Sequence, residues 1–133
     1  MTPAQTILIA DRHEDLLNVL KEELAETNYA LLHATNGEEA IAFLEQLKSR
    51  IELAIIDLDM PDSGGWNLIG RLTLHERKPV KIIATTSVRS KSILRKIKEL
   101  GVDAVVRKPA PSEGWRTTLE RVMAKTEAAG CGG

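Results

Sequence analysis

Five short apolar runs alternate with five stretches whose apolar residues recur at helical spacing, and this alternation leaves the chain very few architectures. The strand-like runs are ILIA (7–10), YALLHA (29–34), LAIID (53–57), KIIATT (81–86) and DAVVRK (103–108). Leu16, Leu17, Leu20 and Leu24 draw one helical face, and Ala40, Ile41, Leu44 and Leu47 a second. Leu68, Ile69 and Leu72 mark a third helix, Ile93, Leu94, Ile97 and Leu100 a fourth, and Trp115, Leu119, Val122 and Met123 a fifth. Asn36-Gly37 and Ser63-Gly64-Gly65 read as turns into helices, and Gly101 as a helix stop. Nearly continuous apolar strands joined by helices imply a parallel sheet covered on both faces. Right-handed crossovers then give a doubly wound α/β domain. The first three strands read as fully buried, inner ones.

The length of 133 residues suits one domain with a proper core. That domain is predicted to occupy residues 1–125. Residues 126–133, TEAAGCGG, lose the apolar periodicity and read as a flexible tail. A net charge of −1 gives no global reason to bind nucleic acid or an anionic membrane. No apolar run is as long as a membrane span, and MTPAQ lacks signal-peptide character. The single cysteine, Cys131, can build neither a disulfide framework nor a cysteine metal cluster. The expected setting is the cytoplasm.

In such a sheet, functional groups gather beyond the carboxyl ends of the strands. There the chain places Asp11 after strand one, Asp57 ending strand three, Thr86 ending strand four, and Lys108-Pro109 ending strand five. Two carboxylates, a hydroxyl and an ammonium on one edge suit phosphoryl chemistry. Asp57 can attack phosphorus and hold the group as an acyl phosphate. Lys108 can pair with one phosphoryl oxygen, and the Thr86 hydroxyl can donate to another. Asp11 beside Asp57 makes an oxygen-rich pocket suited to Mg²⁺. Backbone N–H groups after Asp57 and Thr86 can cradle the remaining oxygens. Lys108-Pro109 is a candidate cis peptide. The segment IIDLDMPDSGG (55–65) leaves open a hydrolase nucleophile with Asp59 as its acid–base partner, a phosphate acceptor, and a fold that has lost its chemistry.

These segments together resemble the receiver domains of two-component response regulators, including the stand-alone chemotaxis type, over roughly residues 6–125. The resemblance is carried by ILIADRHEDLLNVL, AIIDLDMPDSGGWNLI, IIATTS and GVDAVVRKPA, in that order. It implies a five-stranded sheet of order 2-1-3-4-5 flanked by five helices. It makes Asp57 the phosphoacceptor, Thr86 the switch hydroxyl with Ser87 beside it, and Lys108 the phosphate-pairing lysine. Metal ligands would be Asp11, Asp57 and Asp59, the last through its backbone carbonyl, with its side chain a further candidate. Implied partners are a histidine kinase or phosphotransfer domain, docking over helix one and the loop before helix five, and an unidentified downstream protein. A homodimer through helix four, strand five and helix five is a further expectation. Output by protein contact is expected, with no enzymatic activity beyond the chain's own phosphorylation and dephosphorylation. The alternatives are a degenerate receiver acting as a phosphorylation-independent interaction module, and a phosphatase of the haloacid-dehalogenase type. That phosphatase family carries its Asp-x-Asp motif on the first strand, not the third.

Three departures bear on these expectations. Arg12 stands where receivers usually carry a second acidic metal ligand. Exchanging a carboxylate for a guanidinium alters the local charge by about two units, each worth about 3 kcal/mol at roughly 5 Å and an effective dielectric of about 20. Weakened Mg²⁺ binding is therefore expected, with Asp59 as a counterweight that pairs with Arg12 or replaces the lost ligand. Val105 stands where receivers often carry Tyr or Phe, and Ala110 replaces the aromatic common after Lys-Pro, so a rewired output face is expected. Arg89, Lys91, Arg95, Lys96 and Lys98 make helix four basic, while Glu14, Asp15, Glu22, Glu23 and Glu26 make helix one acidic. Trp66 is expected partly exposed near the acceptor and Trp115 in the core. His13, His33 and His75 share no ligand spacing.

Overall fold

The computed structural model describes residues 5–47, 50–61, 64–74, 80–109 and 113–132. Along the chain run β1 (Gln5–Ala10), α1 (Asp15–Glu23), β2 (Tyr29–Ala34), α2 (Gly37–Gln46) and β3 (Ile51–Asp57). They are followed by α3 (Gly64–Leu74), β4 (Lys81–Thr86), α4 (Lys91–Glu99), β5 (Ala104–Arg107) and α5 (Trp115–Gly132). All strand pairs are parallel, as the alternating pattern predicts, and the order is β2-β1-β3-β4-β5, the one the resemblance implies.

The period of two along each strand sends alternate side chains to opposite faces. Leu8, Ala10, Ile56, Ile82 and Ala84 pack with Ala40, Leu68, Ile69 and Ile97 beneath α2, α3 and α4. Ile7, Ile9, Leu53, Ile55 and Ile83 pack with Leu16, Leu20, Trp115, Leu119 and Val122 beneath α1 and α5. Each fully buried Leu or Ile contributes roughly 1.5–3 kcal/mol, so the apolar strand centres fix the sheet. Trp115 is buried, as its helical spacing with Leu119 implies.

One burial expectation is corrected. β1, β3 and β4 are the buried strands, whereas β2 has only Ala34 fully buried. β2 is an edge strand with a neighbour on one side only, which exposes part of its apolar run. The outer boundaries also shift. Asp103 stands outside β5 and holds the start of β4 instead. Its N–H donates to the Ile82 carbonyl at 2.8 Å, its carboxylate accepts from the Ile82 N–H at 2.8 Å, and Lys81 lies 3.7 Å away. α5 is helical to Gly132, so the loss of apolar periodicity at residue 126 marks no change in backbone conformation.

Helix ends follow local chemistry. Asn36 caps α2 by accepting from the Glu39 N–H at 2.8 Å, and Glu39 reaches back to the N–H and hydroxyl of Thr35. Ser90 caps α4, and Gly101 follows it at φ +92°, the left-handed region that glycine occupies without strain.

Candidate functional site

Parallel strands bring their carboxyl ends to one edge, and the register sets what meets there. Asp57 pairs with Thr85, and Thr86 with Arg107, so Asp57, Thr86 and Lys108 stand on neighbouring strand ends. The ladder continues one step past the strands. The Leu58 N–H donates to the Thr85 carbonyl at 2.9 Å, and the Lys108 N–H to the Thr86 carbonyl at 2.8 Å. On the other side of β3, the Asp11 N–H donates to the Ala34 carbonyl at 3.0 Å. These bonds hold the bases of the functional side chains on the rigid sheet.

Asp57 is 3% exposed and Asp11 5%. Asp57 Oδ1 accepts from Lys108 Nζ at 2.7 Å and from the Asp59 N–H at 2.8 Å. Among the described residues, nothing donates to its second oxygen. Asp11 Oδ1 accepts from the His13 N–H at 2.9 Å. Burial pushes the Asp11 carboxyl above its ordinary value, and the Asp57 charge adds to this, against the His13 N–H and the Lys108 charge. Burial alone would lower the Lys108 ammonium, but its bond to Asp57 and the charges of Asp57, Asp11 and Asp59 outweigh that and raise it. The Lys108 ammonium therefore stays charged across the neutral range. The Lys108–Pro109 peptide is cis.

Asp59 does not pair with Arg12. Arg12 is exposed, whereas Asp59 meets donors on the β4 and β5 side. Asp59 Oδ1 accepts from Thr86 Oγ1 at 3.1 Å, and Oδ2 accepts from the Ser87 N–H at 2.8 Å. Lys108 Nζ lies 3.7 Å from the same Oδ2. Burial would raise the Asp59 carboxyl, but Ser87, through hydroxyl and N–H, then Thr86 and the Lys108 charge, hold it below its ordinary value. Three donors lie nearer to Asp59 than Arg12 does, which is the physical reason the expected pair gives way.

Carboxyl groups on two strand ends, a paired ammonium and a donor hydroxyl form an anion-handling edge around one buried carboxylate with a free oxygen. Over residues 7–120 the chain matches the response regulator receiver domain family. It belongs to that family. The receiver is 37% identical over 106 residues to the response regulator GtcR of Aneurinibacillus migulanus, a match covering 80% of this chain and 42% of that protein. A CheY-like receiver domain protein of Methanospirillum hungatei superposes with TM-score 0.74 at 26% identity, covering 97% of this chain and 98% of the other. A response regulator of Thermotoga maritima shares the fold at TM-score 0.78 and 19% identity, covering 91% of this chain and 98% of the other. The receiver spans less than half the length of the curated relatives it matches. These comparisons support phosphorelay signalling and lend nothing to a haloacid-dehalogenase-type phosphatase or a phosphorylation-independent module. Response regulator receivers are signalling proteins, act with histidine kinases and downstream targets, and as a family bind Mg²⁺.

The donor set fits a hydrated Mg²⁺, which keeps several waters and needs only one or two carboxylates. Asp11 and Asp57 are buried side by side with like charge, the situation a cation relieves. No third acidic or histidine side chain joins them among the described residues.

Two contacts at this edge and its margin escape the sequence pattern. His33 Nε2 donates to the Asp11 carbonyl at 2.8 Å and ties β2 to the first acid. It stands beside Ile9 in the β1–β2 register, a pairing that no local sequence pattern signals. Glu23, assigned to an acidic face, instead accepts from the Trp115 N–H at 3.1 Å at the start of α5. The basic residues of α4 are all exposed, Val105 is half-buried against the α4 side of the core, and Trp66 is half-buried. Among the described residues, no helix is long and apolar enough to cross a membrane. Ala110 and His75 lie outside the described residues.

Proposed function

We propose that Asp57 is the phosphoacceptor of this receiver. The observation that carries the reading is the buried Asp57 carboxylate, with one oxygen fixed by Lys108 at 2.7 Å and the other without a donor among the described residues. The free oxygen attacks phosphorus of a phosphohistidine on a kinase or phosphotransfer domain. The phosphorus–nitrogen bond breaks, the histidine leaves, and an acyl phosphate forms on Asp57. Lys108 pairs with a phosphoryl oxygen, and the Thr86 hydroxyl and Ser87 N–H donate to others. Water attack on the acyl phosphate releases inorganic phosphate and returns the free carboxylate, so the only chemistry is the chain's own phosphorylation and dephosphorylation.

Asp11, Asp57 and the Asp59 backbone carbonyl are the groups that would hold Mg²⁺, which when bound offsets charge on the incoming phosphoryl oxygens. Arg12 lowers its affinity by placing a cation where the second acid normally stands. Signal leaves through the segment after β4 and the exposed basic face of α4. That face suits an acidic downstream protein or a homodimer through α4, β5 and α5. The setting is cytoplasmic, where the phosphodonors act.

Incubation with acetyl phosphate or beryllofluoride in millimolar Mg²⁺, followed by intact mass and Trp66 fluorescence, tests the assignment. One phosphoryl adduct that disappears in Asp57→Ala is expected. An adduct that survives Asp57→Ala, or none in the native chain at any Mg²⁺ concentration, would sink it.

A further inference from the structure

The Asp59 carboxylate occupies donors that the proposed phosphoryl chemistry needs for another anion. Thr86 Oγ1 donates to it at 3.1 Å, the Ser87 N–H at 2.8 Å, and Lys108 Nζ approaches to 3.7 Å. These are the hydroxyl, the N–H and the ammonium assigned above to the oxygens of a phosphoryl group on Asp57. A carboxylate and a phosphoryl group both present anionic oxygens that accept charge-assisted hydrogen bonds. A hydroxyl and a backbone N–H each have a single proton to give. The two anions therefore compete for one set of donors.

Geometry shows why Asp59 is so placed. Its own N–H returns to Asp57 Oδ1 at 2.8 Å, which fixes the turn after β3 and aims the side chain across the edge toward β4. The Asp59 side chain is 28% exposed, so core packing does not impose this orientation. The hydrogen bonds do. The effect passes onward, because Thr86 Oγ1 also accepts from the Val88 N–H at 3.1 Å. The hydroxyl that Asp59 holds is thus the one that ties down the segment between β4 and α4.

We infer that Asp59 is a positioning residue that stands in for the phosphoryl group. In the unphosphorylated receiver its carboxylate fills the oxyanion subsite at the end of β4 and holds residues 86–88 in their anion-engaged arrangement. A phosphoryl group on Asp57 displaces it from Thr86, Ser87 and Lys108. Only this displacement rests on Asp57 being the phosphoacceptor; occupation of the subsite does not. Phosphorylation accordingly exchanges one anion for another at Thr86. The resting chain already carries part of the signalling arrangement, and the incoming group meets a competitor.

Amide hydrogen exchange of Ser87 in the full ¹⁵N-labelled chain tests the occupation. Exchange is measured in the native protein and in Asp59→Ala, each with and without beryllofluoride and Mg²⁺. The native Ser87 amide should be protected without beryllofluoride, and Asp59→Ala should speed its exchange about tenfold, the factor equivalent to 1.4 kcal/mol. Beryllofluoride should restore protection in the variant. Asp59→Ala should also bind beryllofluoride about tenfold more tightly. Mere removal of a nearby negative charge would tighten beryllofluoride binding without changing Ser87 exchange. Equal Ser87 exchange in the two free proteins overturns the inference, as does unchanged or weaker beryllofluoride binding by the variant. Failure of the phosphoacceptor assignment looks different, because beryllofluoride binding would then survive Asp57→Ala while the Ser87 comparison still stands.

Discussion

Two glycines of α3 should respond with opposite sign to the same substitution. A Cβ on Gly65 would lie 2.3 Å from the Asp57 carbonyl oxygen, 3.0 Å from its carbon and 3.1 Å from Leu58 Cα. Ordinary carbon–oxygen contact begins at about 3.3 Å, so the start of α3 must move off the end of β3 by about 1 Å. All three obstacles are backbone atoms of a buried strand end, and no side chain can rotate aside. Overpacking typically costs 1–3 kcal/mol, and backbone obstacles place Gly65→Ala at the upper end. The better helix propensity of alanine returns about 1 kcal/mol. A net loss of about 2 kcal/mol is expected, or roughly 4–8 °C in Tm for a domain of this size. Gly70 lies in the same helix, and among the described residues nothing beyond its own helix backbone and chain neighbours comes within 4 Å of its added Cβ. Gly70→Ala should therefore gain about 0.5–1 kcal/mol from propensity alone. Urea denaturation of both variants and the native chain makes the comparison, and the slope must stay constant for it to report stability. The displaced strand end carries Asp57, so Gly65→Ala should also slow adduct formation while Gly70→Ala leaves it unchanged. If Gly65→Ala were as stable as the native chain, or Gly70→Ala equally damaging, the close approach of α3 to β3 would not be the controlling fact.

The remaining expectations concern charge. Arg12→Asp should raise Mg²⁺ affinity about tenfold, since about 3 kcal/mol per unit charge at 5 Å is cut by solvent at an exposed position. Titration of Trp66 fluorescence reads this, and an unchanged affinity counts against a role for Arg12. Lys108→Met should lower stability by about 2 kcal/mol in urea by leaving Asp57 buried without its cation, part of the usual cost being relieved by solvent near the lysine. Adding Asp57→Asn should recover most of that loss, and failure to recover it would show that the pair is not the cause. Glu39 is held below its ordinary value, first by the Thr35 hydroxyl and then by the Thr35 N–H. Its contribution to the first turn of α2 is therefore fully present above the unfolded value, 4.5, and fades as pH falls through the lower folded value. Carboxyl-carbon NMR titration should find Glu39 below 4.5, with the acid-induced loosening of α2 absent in Glu39→Gln; an ordinary Glu39 titration contradicts the cap.

The order of the elements, the parallel sheet and the edge that collects Asp11, Asp57, Thr86 and Lys108 were legible without coordinates. Helical and strand periodicities are local, turn residues mark the cuts, and a parallel α/β sheet must deliver its strand ends to one side. Element ends were less legible. Asp103 continues the strand pattern but is drawn off by Ile82 and Lys81, and residues beyond 125 lack an apolar stripe yet stay helical. The exposure of β2 belongs to its place at the sheet edge, which its apolar composition alone does not convey.

What the tertiary structure alone decided was which groups touch across strands. Asp59 was visible as an added carboxylate, but its choice of Thr86 and Ser87 over Arg12 depends on a distance between chain segments 27 and 28 residues apart. His33 against the Asp11 carbonyl, Glu23 against the start of α5, and Gly65 against the Asp57 carbonyl are facts of the same kind. Amino-acid pattern governs how each segment folds and which face it buries. Side-chain partners at the strand ends follow from register and from how closely helices approach the sheet, and those emerge only when the whole core is packed.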